Sequence, residues 1–346
     1  MGLLRFLLAI SVAYGHNGGV APILFFAFIN PYYAVQAFFV ISGFYMGMIY
    51  KKYVGIWPVF YVNRFMRLSV SFWIVALITL LLSRLRPDIN FPVRNLAEMP
   101  VLAVISNLFL FGSDWTQFFT HDGNTINEWL LIPQAWSLGA ELCFYLLVPF
   151  LAPLKTRLIL VMIMASIIIR LIIIGTSQAF FPWQQRFFPA EIGFFLVGIL
   201  SYRVYSWLAI QRWRLLPIYS LISLFIGVAM VIFVGHIPGA HVMTPWGSLL
   251  VAGLLFALLP SIFLISRNSK FDRWLGEFSY PIYLWHVFVI MFIFNPGAYF
   301  GEKVVAMSIL LSLPLVLLVE RPLERWRQTQ VSTARNQVVS MMEAAT

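Results

Sequence analysis

Apolar residues along the 346-residue chain gather in long blocks, and short polar stretches separate the blocks at fairly even intervals. A membrane helix needs roughly 17–25 largely apolar residues. Blocks of this kind lie near 3–17, 31–50, 66–83, 96–112, 134–153, 157–175, 188–205, 215–234, 246–265, 276–294 and 303–320. Their connections are short and rich in Pro, Gly and Asn, as in Asn295-Pro296-Gly297, and none is long enough to divide two domains. The pattern predicts an all-α, polytopic integral membrane helical bundle of about ten transmembrane helices. One membrane domain spans 1–325, followed by a polar cytoplasmic tail over 326–346, with no soluble domain appended.

Composition supports this reading. Hydrophobic residues make up 61% of the chain and charged residues only 10%, against about 45–50% and about 25% in soluble domains. The net charge of +10 sits in clusters between apolar blocks: Lys51-Lys52, Arg64 with Arg67, Arg203 to Arg214, Arg267 to Arg273, and Arg321 to Arg327. This is the positive-inside pattern of cytoplasmic loops and not the footprint of a nucleic-acid binder. Counting spans from both ends agrees only if 96–112, which contains Glu98 and Pro100, does not fully cross. Both termini are then cytoplasmic, and Arg84, Arg86 and Arg94 fall in an external loop, against the trend. The one cysteine, Cys143, lies in an apolar run and reads as a packing residue.

Ionisable groups inside membrane helices are expensive and are site candidates by default. Arg5 and His16 are eleven residues apart, about three helical turns, so they share a helix face roughly 16 Å apart along the axis. They either line one cavity, or Arg5 snorkels while His16 caps the helix before Asn17-Gly18-Gly19. Arg64 and Arg67, at i and i+3, present two guanidinium forks on one face. They suit either phosphate recognition or positive-inside anchoring. Ser137 and Glu141 share a face at the start of another helix, as a polar site or as a cap with its acidic first turn. Glu191, with Arg186 five residues earlier, is ambiguous in the same way. His286, after Tyr283-Leu284-Trp285, has the chemistry of a base but reads as structural, in an interfacial aromatic belt. No metal-ligand spacing, phosphate-cradling glycine loop or Gly-x-Ser-x-Gly elbow occurs, so no metal is expected.

Taken in order, these stretches resemble the acyltransferase 3 family along nearly the full chain. The similar segments are Arg5-Phe-Leu-Leu-Ala-Ile-Ser-Val-Ala-Tyr-Gly-His16, Phe38-Phe-Val-Ile-Ser-Gly-Phe44 and Asn63-Arg-Phe-Met-Arg67. Next come Ala135-Trp-Ser-Leu-Gly-Ala-Glu141 with Phe144-Tyr145, and Pro189-Ala-Glu-Ile-Gly-Phe-Phe-Leu-Val-Gly198. The last are Gly276-Glu-Phe-Ser-Tyr-Pro-Ile-Tyr-Leu-Trp-His286 and Glu320-Arg-Pro322.

The resemblance implies a bacterial inner-membrane O-acyltransferase that moves an acyl group, usually acetyl, from cytoplasmic acyl-CoA to a hydroxyl of a surface or exported carbohydrate. It implies that His16 is catalytic, that Arg5, Arg64 and Arg67 are functional, and that Ser137 and Glu141 belong to a conserved region. Gly139 and Leu142 depart from the family, where a serine and a second acidic residue are common.

The chemistry fits these residues. Acyl transfer from a thioester needs a base for the hydroxyl and positive charge near the developing oxyanion. His16 is the expected base or, failing that, an acyl carrier, and Arg5 the group orienting the thioester or stabilising charge. Arg64 and Arg67 are expected to hold the acyl-CoA phosphates. Glu141 is expected to order the acceptor sugar from the opposite side, with Ser137, Glu191 and Arg186 binding substrate. The loops 113–133 and 176–187, with Trp115, His121, Trp129, Trp183 and Arg186, are candidates for stacking on sugars, or else carry interfacial aromatics. Expected partners are acyl-CoA, the carbohydrate and membrane lipid. The competing class is a transporter or flippase that leaves its cargo unmodified, although no internal repeat of the kind common in transporters is visible.

Overall fold

The computed structural model describes residues 1–16, 31–86, 98–176, 178, 180–235, 245–294 and 301–344. Asn17-Gly18-Gly19, Arg94 and Asn295-Pro296-Gly297 lie outside the described residues. The helices are α1 (Gly2–Gly15), α2 (Pro31–Ile49), α3 (Trp57–Leu85), α4 (Val101–Phe109), α5 (Trp136–Leu151) and α6 (Thr156–Gly175). They continue with α7 (Phe188–Gln211), α8 (Leu216–Gly235), α9 (Pro245–Ser266), α10 (Lys270–Val289), α11 (Gly301–Leu315) and α12 (Arg321–Ala344).

Among the described residues, eight helices are long and apolar enough to cross a membrane, and α1 and the Leu216–Ala229 part of α8 are shorter apolar helices. The chain is a polytopic, all-helical membrane protein. Helix α6 illustrates the membrane signature: only 22% of its apolar window is buried, and Leu158, Leu160, Val161 and Ile172 are exposed on its surface. Helix α4 has nine residues, roughly 14 Å at 1.5 Å per residue. That is about half of the hydrocarbon thickness of a bilayer, in keeping with a segment that does not cross.

The chain divides into two compact units, Met1–Met48 with Leu154–Leu311, and Ile49–Pro153 with Ser312–Thr346. In the first unit, α1 packs along α10. Their backbones approach closely at Gly2 and Gly276, where a Cβ on Gly276 would stand 2.8 Å from the Gly2 Cα. Small residues at membrane-helix crossings let backbones approach in this way. The Asp272 carboxylate, in the first turn of α10, accepts from the Gly2 and Leu3 amides at 2.7 and 2.9 Å. It thereby satisfies backbone donors that every helix N-terminus leaves open. A second backbone crossing joins α2 to α7: a Cβ on Gly43 would overlap the Phe195 carbonyl, and one on Gly198 the Val40 carbonyl.

In the second unit, α3 packs on α5, with the Tyr61 hydroxyl donating to the Leu146 carbonyl at 3.3 Å. Between α4 and α5 runs an irregular segment with a small hairpin, in which Thr120-His121 pairs with Asn124-Thr125. Asp122 and Gly123 turn it at φ of 50° and 81°, the left-handed pair that a two-residue hairpin turn demands. Helix α12 continues from α11 through a widened turn at Val316–Glu320. It runs unbroken through residue 326, the expected start of a projecting tail, and buries Arg327.

Candidate active site

The first unit brings together two histidines that the sequence treats differently. His16 caps the C-terminus of α1, and His286 is fully buried in α10. The Gly2–Gly276 crossing sets these helices running side by side in the same direction, and further along them the two imidazole centroids come to 4.9 Å. Each ring is oriented by its own helix. His16 Nδ1 lies 2.9 Å from the Val12 carbonyl, and His286 Nδ1 lies 2.7 Å from the Tyr283 carbonyl.

A carbonyl only accepts, so both Nδ1 atoms carry the proton, which in a neutral ring leaves Nε2 as the basic nitrogen. The His286 Nε2 is buried with no hydrogen-bond partner among the described residues. The tautomer needed for a general base at Nε2 is therefore built into both helices.

Arg186 lies buried just before α7, within electrostatic reach of the His16 ring and of Tyr283. Its segment is held by Arg170, a residue the sequence reading passed over. From the middle of α6, Arg170 donates to the Gln184 carbonyl at 3.1 Å, the Ala190 carbonyl at 3.1 Å and the Tyr32 hydroxyl at 2.9 Å. It also forms a buried ion pair with Glu191 at 2.5 Å, with Gln36 alongside. Glu191 thus spends its charge on Arg170, and that pair braces the stretch carrying Arg186. An arginine deep in an apolar span was the available signal. Arg5 is half-buried on α1.

The second unit holds the arginines. Arg64 is 6% exposed, and its Nη2 donates to the Asn63 Oδ1 at 2.9 Å and the Tyr53 hydroxyl at 3.4 Å. Arg327, from α12, donates its Nε to the same Asn63 Oδ1 at 3.0 Å. Asn63 Nδ2 returns a bond to the Arg327 carbonyl at 3.1 Å. Arg67 lies within electrostatic reach of Tyr145, Glu141, Glu324 and Glu320.

Glu141 accepts a short hydrogen bond from the Tyr145 hydroxyl one turn along α5. It therefore stands in the arginine cluster rather than at an opposite end from it. The packing of α3 on α5 is the physical reason, because both residues lie on facing helices. Ser137 is buried in the first turn of α5, whose N-cap position is Ala135, so it is not the cap. Gly139 sits where a Cβ would stand 3.1 Å from the Asp114 backbone nitrogen and 3.1 Å from its Oδ1. The departure from serine there makes room for the 113–114 turn. Of the loop aromatics, Trp115 and Trp183 are exposed, while Trp129 is buried against Ala103, Ile126 and Leu130. Among the described residues no cluster of His, Cys, Asp and Glu could hold a metal ion.

No solved structure matches this chain. An uncharacterized protein of Aquifex aeolicus (strain VF5) is 32% identical over 165 residues, covering 47% of this chain and 72% of that protein. The profile of the acyltransferase 3 family, an acyltransferase domain, matches residues 1–320. That span contains both histidines together with Arg5, Arg64, Arg67, Arg170, Arg186, Glu141 and Glu191, and ends seven residues before Arg327. The chain belongs to the acyltransferase 3 family of membrane acyltransferases.

Proposed function

We propose that the protein is a bacterial inner-membrane O-acyltransferase that takes an acyl group, acetyl first among them, from cytoplasmic acyl-CoA and places it on a hydroxyl of a surface or exported carbohydrate. The observation that carries this reading is the His16–His286 contact, with both Nδ1 hydrogens committed to backbone carbonyls.

His16 Nε2 takes the proton of the acceptor hydroxyl as its oxygen attacks the thioester carbon. The C–S bond breaks as the C–O bond forms, and the proton passes to the departing CoA sulfur. His286 Nε2, without a partner of its own, is the second acceptor on the proton's route. Arg186 stabilises the oxyanion that develops on the carbonyl oxygen, and Arg5 orients the thioester. Arg64 and Arg67 hold the donor's phosphates. Ser137, Glu191 and Arg186 belong to the substrate-binding set, Glu191 through its hold on the Arg186 segment and Glu141 through Tyr145 and Arg67.

The test is mass spectrometry of surface and exported glycans from cells expressing the wild-type chain, His16→Ala or neither. A mass increment of one acyl group confined to the wild type is expected, and its size names the donor. Glycan exported but unmodified, with the protein present in the membrane, would replace this reading with the transporter one.

A further inference from the structure

Arg64 is a guanidinium buried to 6% exposure whose hydrogen-bond partners among the described residues are neutral, an amide oxygen and a phenol. Its Nε is buried with no partner among the described residues. Arg327, also 6% exposed, meets it on the same Asn63 oxygen. For these two cations the structure provides one ion-paired carboxylate, Glu324 at 2.9 Å from Arg327, and that side chain is half exposed. The remaining acids nearby, Glu141 and Glu320, lie around Arg67 and accept from Tyr145 and Ser71. Burying a cation without a counter-charge costs several kcal/mol, and two converging on one neutral oxygen repel each other as well. Around Arg64 and Arg327 themselves, among the described residues, the one ion-paired carboxylate is half exposed, and positive charge outweighs negative.

We infer that Arg327 and Arg64, spaced by Asn63, form a phosphate-binding site that receives the phosphate-bearing end of acyl-CoA, which makes Arg327 a donor-binding residue. This rests on the reading of the protein as an acyl-CoA-dependent transferase. Planar guanidinium forks bind phosphate through paired N–H donors. The Asn63 amide fixes both forks, so little side-chain order remains to be imposed on binding. Arg327 lies beyond the residues that match the family profile. The site is therefore completed by the part of the chain that the sequence pattern marked as a polar tail.

The test is equilibrium binding of CoA and of 3′-dephospho-CoA to the full chain in detergent, with steady-state KM values for acyl-CoA and for the acceptor. Arg327→Gln should weaken CoA binding and raise the acyl-CoA KM by about 10- to 100-fold, as expected for lost charged hydrogen bonds. Acceptor KM should hold, the unfolding temperature should not fall because one of two repelling cations is removed, and Arg327→Lys should recover part of the lost CoA binding. Should Arg327→Gln fail to reach the membrane, Asn63→Asp places a carboxylate between the two forks and should weaken CoA in the same way.

Wild type that binds CoA, with Arg327→Gln binding it equally well, would overturn the inference and leave the transferase reading standing. Wild type that binds neither CoA nor dephospho-CoA, yet binds vesicles of phosphatidylglycerol, would assign the site to lipid headgroups and overturn the donor assignment itself.

Discussion

His16 and His286 meet as rings whose Nδ1 hydrogens are tied to their own helices, with no carboxylate bonded to either among the described residues. Arg64 and Arg327 meet as two cations on one amide oxygen, in a unit that also supplies Glu141, Glu320 and Glu324. Both are polar clusters within a membrane protein, yet they handle charge differently. With Nδ1 tied to a carbonyl, a neutral imidazole keeps a lone pair on Nε2 ready to accept a proton. The arginines cannot give up their charge, so they gather hydrogen bonds and wait for an anion. A site for moving a proton and a site for holding a charge thus have different signatures. The first is a fixed tautomer with an unused nitrogen, the second a buried fork with too few counter-charges.

The sharpest way to break the comparison is to remove each nitrogen in turn. His16→Ala should lower transfer by about 10²- to 10⁴-fold, the usual worth of a general base, with the protein still folded. His286→Gln keeps a polar group in the buried position and should also lower turnover, by less, with the acyl-CoA KM unchanged. Rates at saturating acyl-CoA separate these variants from the arginine ones. An effect of His286→Gln on donor KM alone would move that residue out of the proton path.

A second break falls on the brace behind the histidine pair. Arg170→Ala leaves Glu191 buried without its partner, a change that typically costs about 3–5 kcal/mol. It also releases the Gln184 and Ala190 carbonyls. The unfolding temperature in detergent should fall, and Glu191→Gln, which keeps the size and one acceptor, should lose less. If Arg170→Ala proved as stable as wild type but inactive, Arg170 would belong to the chemistry rather than to the support.

Much of this was legible before any coordinates, for physical reasons that differ by residue. The spans were readable because lipid demands long apolar runs, and the shortness of α4 followed from Glu98 and Pro100 near the start of its block. His16, Arg64 and Arg67 stood out because charge in an apolar helix is rare. His286 was read as structural because one aromatic belt looks like another; only the Gly2–Gly276 crossing, a contact between helices distant in sequence, carries it to His16. Arg327 was hidden by its polar surroundings, which resemble a solvated tail until Asn63 is seen to hold it. Glu141 was assigned an opposite end because its position along the chain says nothing about which helix α5 packs against.

The smallest expected effect tests whether buried charge is tolerated elsewhere without purpose. Asp114, in the turn after α4 and outside the spanning helices, is 1% exposed, and neither carboxylate oxygen has a partner among the described residues. Burial pushes its pKa up from an ordinary 3.8 to about 7. Between those values the native state holds a proton that the unfolded chain has released. This group's contribution to stability is therefore full below about pH 3.8, falls as pH rises toward 7, and is flat above. Asp114→Asn removes the titration and keeps the shape. The variant should be more stable than wild type at pH 8 by on the order of 1–3 kcal/mol, and the advantage should vanish near pH 4. Calorimetry of the two proteins across that range decides it. Equal stability at every pH, with loss of transfer in the Asn variant, would make Asp114 a working carboxylate rather than a tolerated buried charge.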